Sequence, residues 1–252
     1  NIITDIEIPQ YRRIKEIASK NKLNIQTISS NNGNLEIISH GYNNEKQIVE
    51  IKYNKNIYKF ETKLIGKIQI KNILMAIIAA NKSNLSFKKI INTIEALKPV
   101  SGRLEQIGNI KNNSKVILDY AHTPDALEVC LKSLKEQFNG RKISIVFGCG
   151  GNRDKAKRPM MGKIANQYCD KVYLTDDNPR HENPKSIRNS IRKNINKSKI
   201  YEISNRANAI NQAIIDLKTG DILIVAGKGH EKIQEYKRTK KSFSDREKIL
   251  IN

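Results

Sequence analysis

The sequence lacks the features that define several protein classes. It has no tryptophan and only three cysteines, Cys130, Cys149 and Cys169, with no Cys-x-x-Cys pair. An odd number of unpaired cysteines argues against a disulfide framework, so we expect small, buried, reduced thiols in a cytoplasmic protein. No apolar run approaches the roughly 18 residues of a membrane-spanning helix, and no signal peptide is recognisable. The sequence therefore predicts neither membrane insertion nor secretion.

Aromatic residues are few, with nine tyrosines and five phenylalanines, whereas positive charge is abundant. The formal net charge is +21, from 46 Lys and Arg against 25 Asp and Glu. These basic residues are spread along the chain and do not alternate with aromatics, which indicates diffuse charge and no nucleic-acid partner. A basic nucleic-acid-binding protein stays open as an alternative that a salt-dependent gel shift would detect. The same charge suits an anionic, nucleotide-linked substrate.

No Gly-x-x-x-x-Gly-Lys-Ser/Thr phosphate-binding loop occurs in the sequence. From about residue 115 onward, short β-rich runs alternate with amphipathic segments, which is typical of an α/β domain with a Rossmann-like, mostly parallel sheet. The predicted strands span 116–120, 143–147, 172–175, 200–203 and 222–226. The predicted helices span 124–138, 158–169, 185–196 and 206–218.

Four polar or glycine-containing loops begin where these predicted strands end, at Asp119, Gly148, Asp177 and Gly227. Ligand sites of open parallel sheets lie beyond the carboxyl ends of the strands. The four loops are therefore expected to converge on one site.

Residues 1–98 have a different pattern. Predicted strands at 1–4, 25–28, 35–39, 48–53 and 57–62 are combined with predicted helices at 9–20, 70–82 and 86–97. The segment Pro99-Val100-Ser101-Gly102 is the best candidate for a linker, because proline ends the preceding helix and glycine permits a sharp turn. We expect two domains, at residues 1–100 and 101–252.

The segment Thr175-Asp176-Asp177-Asn178-Pro179-Arg180 is the most informative stretch of the chain. An arginine pairs with a carboxylate through two parallel hydrogen bonds, while Asp177 and Asn178 can accept hydrogen bonds from an ammonium group. The segment is thus suited to hold the zwitterionic end of an amino acid. The alternative is an ordinary strand-ending turn, since Asp-Asn-Pro commonly ends a strand.

Three further motifs surround this segment: LDYAHTPD at 118–125, FGCGGNRDKAKRP at 147–159 and VAGKGHE at 225–231. Together, and in this order, the four motifs resemble the Mur ligases, and within that family the members that add meso-diaminopimelate as the third peptide residue. The resemblance is dense over residues 99–246 and thinner over residues 1–98. It implies the end of the family's central, ATP-binding domain at 1–100 and its amino-acid-binding domain at 101–252.

The resemblance implies an ATP-dependent, ADP-forming amide ligase of peptidoglycan precursor synthesis, acting on UDP-N-acetylmuramoyl-L-alanyl-D-glutamate and meso-diaminopimelate. The family's phosphate-binding loop and most of its Mg²⁺ ligands would lie before Asn1. We therefore expect a carboxyl-terminal portion that does not ligate alone. A monomer is expected, although the oligomeric state stays open. The alternatives are a Mur ligase for lysine or another amino acid, and a stand-alone binding module.

The resemblance also assigns site residues, none of them catalytic and none a metal ligand. The positions that match the family's diaminopimelate contacts are Arg153, Asp177, Asn178, Pro179, Arg180, Gly227 and Glu231. The glycines at 148–151 are expected to shape this pocket. The positions that match its ATP contacts are Asn72, Arg103, Asp119 and His122, and His122 is also suited to bonding within its own turn.

Four positions depart from the family pattern near these ATP contacts. Ile68 and Gln69 stand where the family usually has Phe and Asn, Ser101 replaces a second proline, and Leu104 replaces Met. The departure at Gln69 puts the contacts to adenine in question.

Overall fold

The computed structural model describes residues 1–110, 113–237 and 239–251. The chain divides into two compact units, Asn1–Lys98 and Pro99–Asn252. No helix of the described residues is long and apolar enough to cross a membrane.

The first unit is one five-stranded sheet with helices packed against it. Strands β1 to β5 lie in chain order, with β1, β2 and β3 parallel and β3, β4 and β5 antiparallel. Its core contains alternate residues of the strands, such as Val49 and Ile51, and the apolar face of the long helix α2, including Ile70, Leu74 and Ile77. The elements are β1 (Ile2–Asp5), α1 (Tyr11–Lys20), β2 (Ile25–Ser29), β3 (Leu35–Asn43), β4 (Lys46–Tyr53), β5 (Asn56–Thr62), α2 (Lys67–Lys82), α3 (Phe87–Thr93) and a 3₁₀ turn (Ile94–Ala96).

The second unit holds a six-stranded sheet. Its elements are β6 (Glu105–Ile110), β7 (Ser114–Asp119), α4 (Pro124–Gln137), β8 (Ile143–Phe147), α5 (Lys157–Tyr168), β9 (Lys171–Leu174), α6 (Pro184–Arg192), β10 (Ile200–Glu202), α7 (Arg206–Ile215), β11 (Ile222–Ala226), β12 (Ile233–Tyr236), β13 (Thr239–Ser242) and α8 (Asp245–Leu250). The strand order is β10-β9-β8-β11-β7-β6, and every neighbouring pair is parallel except β6 with β7. The predicted mostly parallel α/β sheet is confirmed.

Strands β8 and β11 form the middle of this sheet and are buried on both faces, with Ser144 of β8 as the one polar residue of the two strands. All five residues of each strand are buried. Val146 and Val225 pack in a cluster with Ala209 and Ile210 of α7, whereas Ile145 and Ile224 are fully buried on the other side. Nearly continuous apolar runs of this kind are typical of strands that helices cover on both faces.

Several predicted helix ends are wrong, for local reasons. The helix predicted at 185–196 ends at Arg192, and the one predicted at 206–218 ends at Ile215. The helix predicted at 86–97 ends as α3 at Thr93 and continues only as the 3₁₀ turn. The starts are better defined, because Thr123, Asn183 and Asn205 each accept a hydrogen bond from a backbone amide of the first turn.

Four elements of the second unit have no counterpart in the sequence prediction: β6, the antiparallel pair β12 and β13, and α8. The pair β12 and β13 was missed because β13 is fully exposed and carries no apolar alternation. In the first unit, β3 extends to Asn43, four residues beyond its predicted end, since it pairs with the whole of β4.

Candidate functional site

A cavity of about 620 Å³ lies at the carboxyl ends of the parallel strands of the second unit. Loops that follow β7, β8, β9 and β11 line it, as the motif positions predict. The structure brings together six of the seven residues predicted to contact the amino acid: Arg153, Asp177, Asn178, Arg180, Gly227 and Glu231. The seventh, Pro179, is buried and does not line the cavity.

The glycine loop after β8 packs directly on the backbone of the loop after β9. A Cβ atom at Gly148 would lie 2.2 Å from the carbonyl oxygen of Thr175, and one at Gly151 would lie 1.9 Å from that of Pro179. Neither distance leaves space for a side chain. The two glycines thus shape the cavity by letting the loops touch.

Arg180 enters the cavity from a left-handed backbone conformation, with φ of 51°. Its Nη1 donates to the carbonyl oxygen of Gly151 at 2.9 Å, and its Nε lies 3.3 Å from Oε2 of Glu235 on β12. The side chain is 22% exposed. The guanidinium is therefore held by protein acceptors on one side while Arg180 also lines the cavity.

Lys228 is a component of the site that sequence reasoning missed. Lys228 directly follows Gly227 in the sequence and is fully buried. Its Nζ donates to Oδ1 of Asn178 and to Oε2 of Glu231, both at 3.1 Å. Asn178 also donates from Nδ2 to Oε2 of Glu231 at 3.2 Å. These bonds position the Glu231 carboxylate at the cavity. The sequence gives no signal for this role, because a lysine between two glycines is ordinarily solvated.

The Asn178 side chain faces the protein through its hydrogen bonds. Besides the bonds to Lys228 and Glu231, its Oδ1 accepts from the backbone amide of Glu235 at 2.9 Å. Asn178 therefore orders the loop and fixes Glu231 from within the site.

Arg153 and Lys157 supply further positive charge to the cavity lining. Arg153 is exposed and lines the cavity, and Lys157 donates from Nζ to the carbonyl oxygen of His122 at 2.8 Å. Behind them, Arg158 is buried and binds Glu182 at 2.9 and 3.0 Å. This hydrogen bond from Arg158 lowers the pKa of Glu182 to about 2.

Buried ion pairs support the strand ends beneath the cavity. Asp176 contacts Arg188 and accepts a hydrogen bond from the hydroxyl of Tyr236 at 3.0 Å. Burial, followed by the charge of Asp176, raises the pKa of the Tyr236 hydroxyl. Arg206 and Asp245 form a second pair, in which neither side chain is exposed. The Asp177 loop therefore rests on fixed polar groups.

Of the residues predicted to contact ATP, three lie in the second unit and Asn72 lies in the first. Asp119 is 8% exposed, and its Oδ2 and Oδ1 each accept a backbone amide, from Leu104 and Ala121 respectively, at 2.7 Å. Burial raises the pKa of this carboxyl, and the two amides oppose that shift. The Arg103 guanidinium lies 4.8 Å from the ring centroid of Tyr120, which also lines the cavity.

His122 and Asn72 complete this group. Nδ1 of His122 lies 2.9 Å from the carbonyl oxygen of Tyr120, the contact expected within its own turn, and the side chain also lines the cavity. Asn72 is exposed on α2 of the first unit, where its Nδ2 lies 3.4 Å from Oε1 of Gln69. Their contacts to a nucleotide stay a prediction.

Neither a metal centre nor a reactive thiol is present in the ranges that the structure describes. No group of three or more His, Cys, Asp and Glu side chains there is arranged to hold a metal ion. Cys149 lines the cavity, but burial raises its pKa to about 12, and its Sγ contacts Sδ of Met161 at 3.6 Å. All three cysteines are buried and free, as the sequence predicts.

Family models match most of the chain. The Mur ligase glutamate ligase domain matches residues 102–229, and the Mur ligase middle domain matches residues 2–80. The UDP-N-acetylmuramoyl-L-alanyl-D-glutamate–2,6-diaminopimelate ligase of Rickettsia conorii is 40% identical over 248 residues, which are 98% of this chain and 51% of that protein. The chain thus spans about half the length of the curated relatives it matches.

Solved structures give the same result. The structure of a UDP-N-acetylmuramoyl-L-alanyl-D-glutamate–2,6-diaminopimelate ligase is 30% identical, with a TM-score of 0.70 over 99% of this chain and 52% of its own. A MurF ligase from Thermotoga maritima, in complex with ADP, has a TM-score of 0.70 at 18% identity, over 99% of this chain and 52% of its own, and shows the fold alone. This chain belongs to the Mur ligase family.

Proposed function

We propose that this chain provides the amino-acid site of an ATP-dependent amide ligase that joins meso-diaminopimelate to UDP-N-acetylmuramoyl-L-alanyl-D-glutamate. The observation that carries the proposal is one cavity lined by two arginines, Arg153 and Arg180, and two carboxylates, Asp177 and Glu231. Meso-diaminopimelate has two carboxylates and two amino groups. The two arginines can pair with the two ligand carboxylates, and Asp177 and Glu231 can hold an ammonium group, while Asp154 and Lys157 add one charge of each sign to the lining.

Lysine lacks one of the two ligand carboxylates, so one arginine would lose its partner. Leaving a buried polar group unpaired costs about 1–3 kcal/mol. Arg180 is 22% exposed, so water recovers part of that loss, and we expect the lower half of the range. That corresponds to roughly a tenfold preference for meso-diaminopimelate, at 1.4 kcal/mol for each factor of ten.

The reaction requires orientation more than a protein nucleophile. ATP phosphorylates the D-glutamate side chain, and an amine of diaminopimelate then displaces phosphate to form the amide, with release of ADP and phosphate. In this proposal Asp177 and Glu231 hold the ammonium group that the reaction leaves intact, and the arginines orient the ligand. Arg103, Asp119, His122 and Asn72 are proposed to face the nucleotide, which is the ligand of the similarly folded MurF ligase.

Mg²⁺ neutralises phosphate charge in reactions of this class. Among the described residues, no three or more His, Cys, Asp and Glu side chains form a group that could hold a metal ion. The proposal therefore assigns no step of the metal to these residues. In this proposal the enzyme is cytoplasmic and monomeric.

Titration calorimetry with meso-diaminopimelate and with lysine tests the proposal. The 252-residue chain should bind meso-diaminopimelate more tightly, and Arg180→Ala should reduce the preference roughly tenfold, to about parity. Arg180→Lys should restore little, because an ammonium group cannot form the paired hydrogen bonds of a guanidinium. Arg12→Ala is the matched control, because its side chain is 93% exposed outside the cavity.

Equal binding of both amino acids by the unchanged chain would contradict the assignment of diaminopimelate and favour a family member for lysine or another amino acid. Binding of neither amino acid would contradict the site itself.

A further inference from the structure

Strand β12 packs along the Asp177–Arg180 loop and forms hydrogen bonds with its backbone and side chains. Nε2 of Gln234 donates to the carbonyl oxygen of Asp177 at 2.8 Å. The amide of Glu235 donates to Oδ1 of Asn178 at 2.9 Å, and the amide of Arg180 donates to the carbonyl oxygen of Glu235 at 3.1 Å. The shape of the Asp177–Arg180 loop therefore depends partly on β12, which lies outside the loop's own motif.

Glu235 also contacts the functional end of Arg180. Its Oε2 lies 3.3 Å from Nε, with the Glu235 side chain 24% exposed. On the other side, Nη1 is held by the carbonyl oxygen of Gly151 at 2.9 Å. Nη2 has no hydrogen-bond partner within the described ranges. Two of the three guanidinium nitrogens are thus fixed by the protein, while Arg180 lines the cavity and Glu235 does not.

We propose that Glu235 is a specificity-determining positioning residue, which holds the Arg180 guanidinium so that its Nη2 edge meets the distal carboxylate of the bound amino acid. This inference rests on the proposed function. The role is separate from catalysis, because Glu235 reaches the ligand only through Arg180.

Two effects of Glu235 on an anionic ligand have opposite signs. Its negative charge repels the ligand carboxylate, but water reaches both side chains and the guanidinium lies between the two anions, which weakens the repulsion. The second effect favours binding: a guanidinium that Glu235 has already oriented loses less rotamer freedom when the ligand binds. Orientation also favours a ligand with a distal carboxylate over one without it. We therefore expect the orienting effect to dominate.

Glu235→Gln and Glu235→Ala separate the two effects. Gln keeps a polar side chain of the same length beside Nε but removes its charge, whereas Ala removes the contact altogether. By calorimetric titration of the full chain, Glu235→Ala should weaken meso-diaminopimelate binding about fivefold and lysine binding less than twofold. Glu235→Gln should stay within about twofold of the unchanged chain for both ligands.

Nuclear magnetic resonance supplies a readout that is independent of the ligand. The Nε–H resonance of Arg180, identified by its loss in Arg180→Lys, should be protected from solvent exchange in the unchanged chain and in Glu235→Gln. The protection should be lost in Glu235→Ala. Glu235→Met is the second variant, which keeps the length of the side chain if Glu235→Ala does not fold.

Glu136→Ala is the matched control, because Glu136 is exposed on α4, does not line the cavity and carries the same charge. It should leave both affinities unchanged. Unaltered or tighter meso-diaminopimelate binding in Glu235→Ala, or an Nε–H that stays protected in it, would overturn the positioning role while leaving the proposed function intact. Failure of the unchanged chain to bind either amino acid would instead overturn the proposed function.

Discussion

Removal of the buried arginine at the start of α7 should destabilise the second unit strongly. Arg206 is 1% exposed and Asp245 is 0% exposed. Nε and Nη2 of Arg206 donate to the two carboxylate oxygens of Asp245 at 2.7 and 2.8 Å, and Nη2 also donates to the carbonyl oxygen of Ala226 at 2.8 Å. The pair therefore joins α7, α8 and the end of β11.

The magnitude follows from the burial of the partner that remains. Arg206→Met leaves the Asp245 carboxylate without a counter-charge in a place that water does not reach, and breaking a buried pair in this way costs about 3–5 kcal/mol. Folded domains are stable by only about 5–15 kcal/mol. The substitution should thus remove a fifth or more of the free energy of unfolding. The equilibrium constant for opening should rise by about two to more than three orders of magnitude.

Hydrogen–deuterium exchange with peptide resolution measures this loss in one unit while the other serves as an internal reference. Protection of β11 and α7 should fall by at least about 100-fold in Arg206→Met, whereas protection of α2 should not change. The surface control is Arg12→Met, because its pair with Glu16 is 93% and 65% exposed and should contribute less than about 1 kcal/mol. The double substitution Arg206→Met with Asp245→Leu should recover most of the loss, since no buried charge remains. A loss below about 1 kcal/mol in Arg206→Met alone would refute the assignment of a buried, mutually dependent pair.

Three further outcomes are expected. The hydrogen bond from Arg158 lowers the pKa of Glu182 from 4.5 to about 2. The stability that the ionised Glu182 carboxylate contributes is therefore complete above pH 4.5 and is lost as the pH falls towards 2. Urea unfolding at several pH values should therefore show a flatter acid slope in Glu182→Gln, and an unchanged slope would contradict this. Gly151→Ala places a Cβ 1.9 Å from the Pro179 carbonyl oxygen and should weaken meso-diaminopimelate binding at least about tenfold by calorimetry, unlike Gly41→Ala, where a Cβ meets nothing within 4 Å. A colorimetric thiol reagent at pH 8 should label no cysteine until urea is added, because burial raises the pKa of Cys149 to about 12; rapid labelling of the folded chain would show that the thiol is accessible.

The fold class and the convergence of the loops could be predicted from the sequence because both depend on local patterns. The strand at 222–226 is an unbroken apolar run and the strand at 143–147 is apolar except for Ser144, and the structure has both with the same bounds. Each is followed by a glycine or polar loop, and parallel strands place such loops at one edge. Helix ends were less predictable, since the stop of α6 at Arg192 follows no local signal.

The hairpin of β12 and β13 and the buried Lys228 could not be predicted. Both depend on partners that are distant in the sequence, such as Asn178, which lies 50 positions before Lys228 and 57 before Glu235. A lysine is expected at the surface unless a charge and an acceptor meet it in the fold, and those are supplied by Glu231 and Asn178. Composition and periodicity do not carry that information.

The strand order of the second unit also constrains how the cavity is completed when the chain folds. β11 pairs with β7 on one side and β8 on the other, although more than a hundred residues separate it from β7 along the chain. During synthesis from the amino terminus, β7 and β8 emerge long before the strand that fills the space between them. Long-range parallel pairing of this kind is slow, because the loop-closure entropy is lost before the contacts form. The glycine loop after β11, with Lys228 and Glu231, is thus among the last parts of the cavity to reach its place. Intermediates that precede it leave the facing edges of β7 and β8 unpaired and open to aggregation.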